Sequence, residues 1–557
     1  MKNIFLLLYL VFVASLITSN LHAEDTVQAI WPSYPYRVWY GADLKNKPEL
    51  YPNLNVVTSG DAYDAHEAGK TNLAWIFGSN WKMDYGTGPD YWEQRFQLGR
   101  LTEKAEDGRP YAIRRAGLGM DEWTGTKHKE FYDWITEGTR LGKANQPDTF
   151  VAVWLSGGAT QLYDMGYDGT IDLFLVQGYE LTKDRGLGVP WTVAIERLEE
   201  FNQRGLMRKT LYSLGHVTDY ANWKDDKVWN EAYLRERFED LKRRYPDMPG
   251  ISFFNAGAKN QRKYDELVQL VDRLSGEYWP ALPLAEGLYT LVSQEDFQYR
   301  MEAANASETP GTTVQLGRSP YPAPAENQKW RFKSLNNGNY RIQPAYSDKL
   351  SLALDGNQVI LAETDKVTEQ VWRLEHTNQG YRVIPFNQQT LRLSFPNAEE
   401  GSPLTVVPPT NDESTIWAFN PEVSVLDPVP PYYQAEKATL NGNASESSSN
   451  PGSMGGYVSL HSPEDEIEFR NIDGGAGGPA VIGIRYANGQ KDECTLQIEV
   501  NGTLESVDIP PTEDWRTWRT IRVPVNLRAG ETNEVILHGP KEAKLSVDKI
   551  TIYPAKG

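Results

Sequence analysis

Two short stretches of this sequence bring carboxylates, amides and aromatic rings together. One is Gly119-Met120-Asp121-Glu122-Trp123, the other Gln177-Gly178-Tyr179-Glu180. Each follows an apolar run of strand type, which places its acids at the carboxyl end of a strand. Hydrolysis of a glycosidic bond needs two carboxyl groups, one to protonate the leaving oxygen and one to act as base or nucleophile. Asp121 and Glu122 are the first choice for acid and base, with Glu180 as the partner. Strand-end acids also cap helices or pair with cations, and Arg114, Arg115 and Arg185 are at hand for that. Trp81, Trp123, Gln177, Tyr179, His216 and Asn255 follow strand ends in the same way and form the expected substrate-binding set. Asp43, Asn80, Trp154, Trp191 and Asp219 are further neighbours of strand ends. The seven histidines are scattered, with no H-E-x-x-H or H-x-H spacing, so metal catalysis is not expected and no catalytic cofactor is called for. The G-x-S-x-G elbow of many esterases is absent.

The elements that would position these residues alternate over the first 285 residues. Strand-like runs occur at Arg37–Ala42, Asn55–Thr58, Leu73–Gly78, Ile113–Met120, Phe150–Leu155, Ile171–Val176, Lys209–Leu214 and Gly250–Phe254. Helical periodicity lies between them: Phe131, Trp134, Ile135 and Gly138 share a face, as do Leu234, Phe238 and Leu241, and Tyr264, Leu267, Val268, Val271 and Leu274. Eight strands alternating with helices over residues 31–284 predict a (β/α)8 barrel, in which catalytic groups sit at the carboxyl ends of the strands. An open doubly wound sheet is the alternative, but no glycine-rich phosphate loop follows the first strand.

Composition narrows the chemistry. The chain has 557 residues, with 75 Asp+Glu against 56 Lys+Arg and a net charge of −19. Such a field repels phosphate backbones, so nucleic acid is not expected as a partner. The 17 Trp and 30 Tyr suit ligands with flat apolar faces and hydroxyl rims, as sugars have. The single Cys494 cannot form an internal disulfide, and its alternation with Leu496, Ile498 and Val500 predicts a buried strand position. Lys2, the apolar run Ile4–Ile17 and Leu21-His22-Ala23 read as a signal peptide over residues 1–23, which implies a secreted or periplasmic protein. That run is shorter than a bilayer requires, and no membrane span is expected. A monomer is expected.

After residue 284 short strands and Asn/Gly turns take over. Gln328-Lys329-Trp330-Arg331-Phe332, Gln370-Val371-Trp372-Arg373-Leu374 and Thr415-Ile416-Trp417-Ala418-Phe419 place tryptophans 42 and 45 residues apart. Period and motif resemble the ricin-B-type β-trefoil over residues 285–420. The sugar-binding residues of that family are incomplete here. The second repeat keeps Asp355 but has Glu369 before its Gln; the first keeps Asn327 but has Glu302 for Asp; the third has Ser394 and Ser414.

Pro421, Pro428, Pro430 and Pro431 predict a linker over 421–432. Beyond it, Tyr433-Gln434-Ala435-Glu436 and Val547-Asp548-Lys549-Ile550 resemble the opening and closing marks of β-sandwich carbohydrate-binding modules of families six and thirty-five, over residues 433–557. The resemblance implies an antiparallel jelly-roll sandwich and a structural Ca²⁺ held by Glu436 and Asp548. It also implies a sugar-stacking platform of Tyr486 with Trp515 or Trp518. The expectation is a multidomain carbohydrate-active enzyme: a (β/α)8 barrel, a β-trefoil and a β-sandwich, hydrolysing a polysaccharide or glycoconjugate. A non-catalytic carbohydrate-binding protein and a polysaccharide lyase or deacetylase are the alternatives.

Overall fold

The computed structural model describes residues 26–554, apart from 59, 78–87, 101–111, 122–128, 156–161, 179–190, 216–229, 255–260, 323, 336–337, 366, 411, 424–430, 448–455, 513–514, 516–517 and 542. The expected signal-peptide segment 1–23 lies outside the described residues. Two compact units divide the chain: residues 1–179 with 206–424, and residues 180–205 with 425–557. The division after residue 424 falls in the predicted linker 421–432, while the segments 31–284 and 285–420 share most of the first unit and residues 180–205 are grouped with the last segment.

The first unit opens with a closed barrel of eight parallel strands: β1 (Tyr36–Tyr40), β2 (Val56–Val57), β3 (Thr71–Phe77), β4 (Gly117–Asp121), β5 (Phe150–Leu155), β6 (Leu173–Gln177), β7 (Thr210–Leu214) and β8 (Gly250–Phe254). They pair in chain order, and β8 closes onto β1 with Gly250 opposite Tyr36 and Phe254 opposite Tyr40. Helices occur in the connections, among them Lys129–Asn145 after β4, Glu231–Arg244 after β7 and Gln261–Tyr278 after β8. Alternation turns Tyr36, Val38, Val56, Leu73, Ala152, Trp154, Leu173, Leu175 and Leu211 into one buried interior cluster.

The fourth strand is shorter than its apolar run suggests. Ala112–Arg114 instead pairs in parallel with Thr26–Gln28 outside the barrel, and β4 starts at Gly117. A Cβ at Gly117 would stand 1.9 Å from the Phe150 carbonyl oxygen, so the close approach of β4 to β5 begins where a residue without a side chain permits it.

A second closed structure follows in the same unit. Strands β9 (Gly287–Ser293), β10 (Tyr299–Ala303), β11 (Val314–Arg318), β12 (Trp330–Ser334), β13 (Asn339–Pro344), β14 (Leu350–Asp355), β15 (Gln358–Glu363), β16 (Trp372–Thr377), β17 (Gly380–Pro385), β18 (Arg392–Ser394), β19 (Thr405–Val407) and β20 (Trp417–Glu422) are all antiparallel. Strands β9, β12, β13, β16, β17 and β20 form a six-stranded ring, closed by β20 pairing with β9. The hairpins β10–β11, β14–β15 and β18–β19 intervene in sequence. Trp330, Trp372 and Trp417 begin β12, β16 and β20 and are fully buried. Their indole N–H groups donate to the carbonyls of Met301, Leu352 and Leu393 at 2.9, 2.9 and 3.4 Å, each in the strand that opens a hairpin. The three motif tryptophans therefore occupy equivalent places in one core. Pro421 and Glu422 belong to β20, so the predicted linker 421–432 starts too early; a strand at Tyr432–Gln434 also shows it ending too late.

Within this unit a buried Lys209–Glu422 pair (3.0 Å) joins the chain just before β7 to β20, and Thr290 Oγ1 donates to the same carboxylate. The second unit contains a sandwich of two antiparallel sheets, one centred on Leu545–Pro554 and Gly478–Ala487, the other on Glu466–Ile472, Asn533–His538 and Cys494–Val500. Cys494 is buried between them as expected, and burial pushes its thiol up to about 11, where it is inert.

Candidate functional site

The carboxyl ends of the barrel strands gather polar and aromatic groups around one acid. Asp121, the last residue of β4, is 4% exposed and accepts a hydrogen bond from Gln177 Nε2 (3.4 Å), the last residue of β6. Tyr40 ends β1, and its hydroxyl is raised above the ordinary range, first by burial and then by the charge of Asp121. Its ring stacks on Phe254 at the end of β8 (4.5 Å, 2°) and contacts Trp75 (4.3 Å), which meets Trp154 (5.6 Å). Trp154 Nε1 donates to Ser213 Oγ at 3.3 Å. Thr58 Oγ1 and Ser252 Oγ are buried and make no hydrogen bond. By strand alternation both belong to the inward rows, with Val56 and Phe254 respectively. The turn after β6 depends on Gly178: the Tyr212 hydroxyl donates to its carbonyl at 2.5 Å, and a Cβ there would lie 2.0 Å from the Tyr212 ring.

Of the predicted set, the structure thus brings Asp121 and Gln177 together. Glu122, Glu180, Trp81, Trp123, Tyr179, His216 and Asn255 lie outside the described residues, as do Asn80 and Asp219. Asp43 is occupied locally, its Oδ1 accepting from the backbone N–H and the amide of Asn46. Trp154 is wholly interior. Tyr40, Trp75, Phe254, Thr58 and Ser252 were not among the expected residues. Tyr40 carried a signal, since it closes the Tyr36-Val38-Tyr40 row at a strand end. The arrangement offers a carboxyl for proton handling, held by an amide hydrogen bond, and rings for stacking on an apolar face.

In the sandwich, Tyr486 is 2% exposed and sits in the core cluster, so it does not serve as an open stacking platform. It continues the inward row Ala480, Ile482 and Ile484 of its strand, and the register with the closing strand shifts between Arg485 and Tyr486. Trp515 is half-buried, with Lys544 Nζ 5.3 Å from its ring, and a Cβ on Gly489 would stand 2.6 Å from its Cγ. Trp518 is buried against Tyr457, beneath the Arg485 guanidinium at 5.2 Å.

The expected calcium ligands divide in their behaviour. Glu436 Oε2 is buried without a hydrogen-bond partner, and its carboxyl is raised by burial first and then by Asp548 and Glu446. Its side chain lies on Gly456, where a Cβ would come within 3.0 Å. Asp548 is already paired with Arg485 Nη1 at 2.5 Å, both buried. An unpartnered carboxylate oxygen is the kind of donor that a hard cation takes. Among the described residues, however, no three His, Cys, Asp or Glu side chains converge as ligands, so backbone oxygens would have to complete the shell.

The ring's closing glutamines have structural work. Gln328 Nε2 donates to Glu302 Oε2 and to the Arg318 carbonyl, both at 2.8 Å, and Gln370 Oε1 accepts from the Asp365 N–H at 2.8 Å. Asn327 donates to the Ala303 carbonyl at 2.9 Å, Ser394 to Ser414 at 3.0 Å, and Asp355 is exposed. In the third repeat the Thr415 hydroxyl replaces Gln by donating to the Asp412 carbonyl at 2.8 Å.

Comparison with known proteins places the last segment. The profile of the carbohydrate binding module (family 6) matches residues 434–552, and the C-terminal part of the chain is a carbohydrate-binding module of the family six/thirty-five type. Similar solved structures include a family 35 carbohydrate binding module from Clostridium thermocellum, with 25% identity, covering 22% of this chain and 98% of that one, TM-score 0.20. A second is a GH26-CBM35 β-(1,4)-mannanase of Podospora anserina, with 24% identity, covering 23% of this chain and 28% of that one, TM-score 0.20. A third is the Rhizoctonia solani agglutinin, with 18% identity, covering 25% of this chain and 99% of that one, TM-score 0.23. No curated protein matches the chain. Among the described residues no helix is long and apolar enough to cross a membrane.

Proposed function

We propose that the protein is a secreted carbohydrate-active enzyme, a glycoside hydrolase whose barrel acts on the polysaccharide or glycoconjugate that its C-terminal module holds. The observation that carries this reading is Asp121, a buried carboxyl at the carboxyl end of a parallel barrel, hydrogen-bonded to Gln177 and set among Tyr40, Trp75 and Phe254. Asp121, Glu122 and Glu180 divide the acid and base roles, and Trp81, Trp123, Tyr179, His216 and Asn255 contact substrate. The barrel is read as of (β/α)8 type, the six-stranded ring as a β-trefoil of structural purpose, and Trp515 as the module's sugar contact. Glu436 and Asp548 hold a structural Ca²⁺ in this reading.

A panel of polysaccharides, with reducing ends and unsaturated products measured separately, tests the reaction. New reducing ends without unsaturated products support hydrolysis, and unsaturated ends would make it a lyase. Binding without either product would leave a binding protein. On a confirmed substrate, Glu122→Gln and Glu180→Gln distinguish the members of the carboxylate set.

A further inference from the structure

A cleft of about 290 Å³ lies at the amino ends of the barrel strands, the end opposite Asp121. Arg37 at the start of β1, Lys70 immediately before β3, and His376 and Asn378 of the β16–β17 hairpin contribute to its lining. The lining contains no Asp or Glu, although acids outnumber Lys and Arg by 75 to 56 in the whole chain.

The positive groups are held there without anionic partners. The Arg37 guanidinium, buried, is pinned by the carbonyls of Asn53 (2.8 Å) and Trp279 (2.5 Å), and its Nε has no partner. Lys70 Nζ reaches only the Pro52 carbonyl, at 3.4 Å. No carboxylate among the described residues comes within ion-pair distance of either. Asp272, the acid that acts on both at longer range, is engaged by the N–H groups of Asn53 and Leu54 at 2.9 and 2.8 Å. Burial depresses the basicity of Arg37, Lys70 and His376, and the Arg37 charge lowers the last two further. A buried guanidinium beside a half-buried ammonium, with no carboxylate in ion-pair distance of either, is costly to keep charged, and a bound anion lowers that cost. The volume is large for an inorganic anion, since a water occupies about 30 Å³. Pro280 and Ala281 add an apolar wall for a carbon skeleton.

We propose that this cleft binds a small organic carboxylate the size of one sugar acid, with its carboxylate between Arg37 and Lys70 and its hydroxyls toward Asn378. The proposal is independent of the chemistry assigned to the other end of the barrel. Titration calorimetry on the full-length protein with D-glucuronate, D-glucose and inorganic phosphate tests it. Glucuronate is expected to saturate one site, weakening with salt, with glucose at least about tenfold weaker. Lys70→Glu should lower glucuronate affinity by about tenfold or more. Sugar held at the C-terminal module would be indifferent to Lys70. Lys70 is only partly buried, and Lys70→Gln, which removes the charge without reversing it, gives the same readout if the charge reversal does not fold. The proposal is overturned if glucuronate binds no better than glucose, or if no folded variant weakens it. Phosphate binding as tightly as glucuronate would overturn the organic carboxylate.

Discussion

In the six-stranded ring, Trp330, Trp372 and Trp417 are fully buried and each indole N–H has a main-chain carbonyl. In the eight-stranded barrel, Thr58 and Ser252 bury hydroxyls that have no partner, and the Trp154 indole depends on a serine side chain. An unmet buried hydroxyl costs about 1–3 kcal/mol. The ring satisfies its indoles three times over by one device, as a scaffold does. The barrel leaves two hydroxyls of its inward rows without a partner, whereas the unmet atoms of the ring region, such as Gln328 Oε1, Gln343 Oε1 and Ser402 Oγ, are not those of its core tryptophans.

Four measurements break or sharpen that contrast. Asp121→Asn should cost roughly 10²–10⁴ in turnover while leaving the melting temperature nearly unchanged. A large stability loss with normal turnover would place Asp121 with the scaffold instead. Trp372→Ala in the ring should do the reverse, lowering unfolding free energy by about 3–5 kcal/mol in denaturant titration. Retained stability with lost glycan binding would make it a ligand contact.

The Lys209–Glu422 pair ties the two barrels together, and Glu422→Gln should cost roughly 3 kcal/mol. Burial pushes the Glu422 carboxyl up, but Lys209, Lys329 and Arg300 together outweigh it and hold it below 4.5. Its contribution is therefore complete above the ordinary glutamate range and lost as pH falls through the depressed value. Melting of wild type and variant should differ by a constant amount near neutrality and converge in acid. The smallest effect concerns calcium. With cation at a hundredfold excess over Kd, chelation should remove about 2.7 kcal/mol from the sandwich transition, restored better by Ca²⁺ than Mg²⁺. An unmoved transition would mean that Glu436 holds no ion.

What the sequence made legible follows the regularity of each region. The tryptophan spacings of 42 and 45 marked the repeated ring, because each repeat must supply the same core residue. Phe150–Leu155 and Gly250–Phe254 are strands at the expected bounds, since continuous apolar runs buried on both faces leave little ambiguity. The run from Ile113 was misread because its break at Arg115-Ala116 shows neither Gly nor Pro; only the packing of Gly117 on Phe150 explains it. Tyr486 was misplaced because the family resemblance was followed over the pattern: it continues the alternating row Ala480, Ile482 and Ile484 of one strand into the core. Asp121 and Gln177 could each be placed at a strand end, though the expected partner of Asp121 was Glu180 and not Gln177, whereas the stack of Tyr40 on Phe254 depends on β8 closing onto β1, a contact across more than two hundred residues.

That helix Trp191–Gln203 belongs to the unit of the C-terminal module has a consequence for synthesis. Within that unit Glu200 pairs with Lys549 at 3.8 Å, and Arg204 donates to the Tyr432 hydroxyl at 2.6 Å. The two parts are separated in the chain by residues 206–424, so the earlier part leaves the ribosome long before its partner exists. Until residues beyond 425 are made, Glu200 and Arg204 lack the Lys549 and Tyr432 that engage them in the complete chain. A truncation at the proline-rich segment leaves Glu200 and Arg204 permanently without these partners, so a protein lacking the module is not simply the remainder of the chain unchanged.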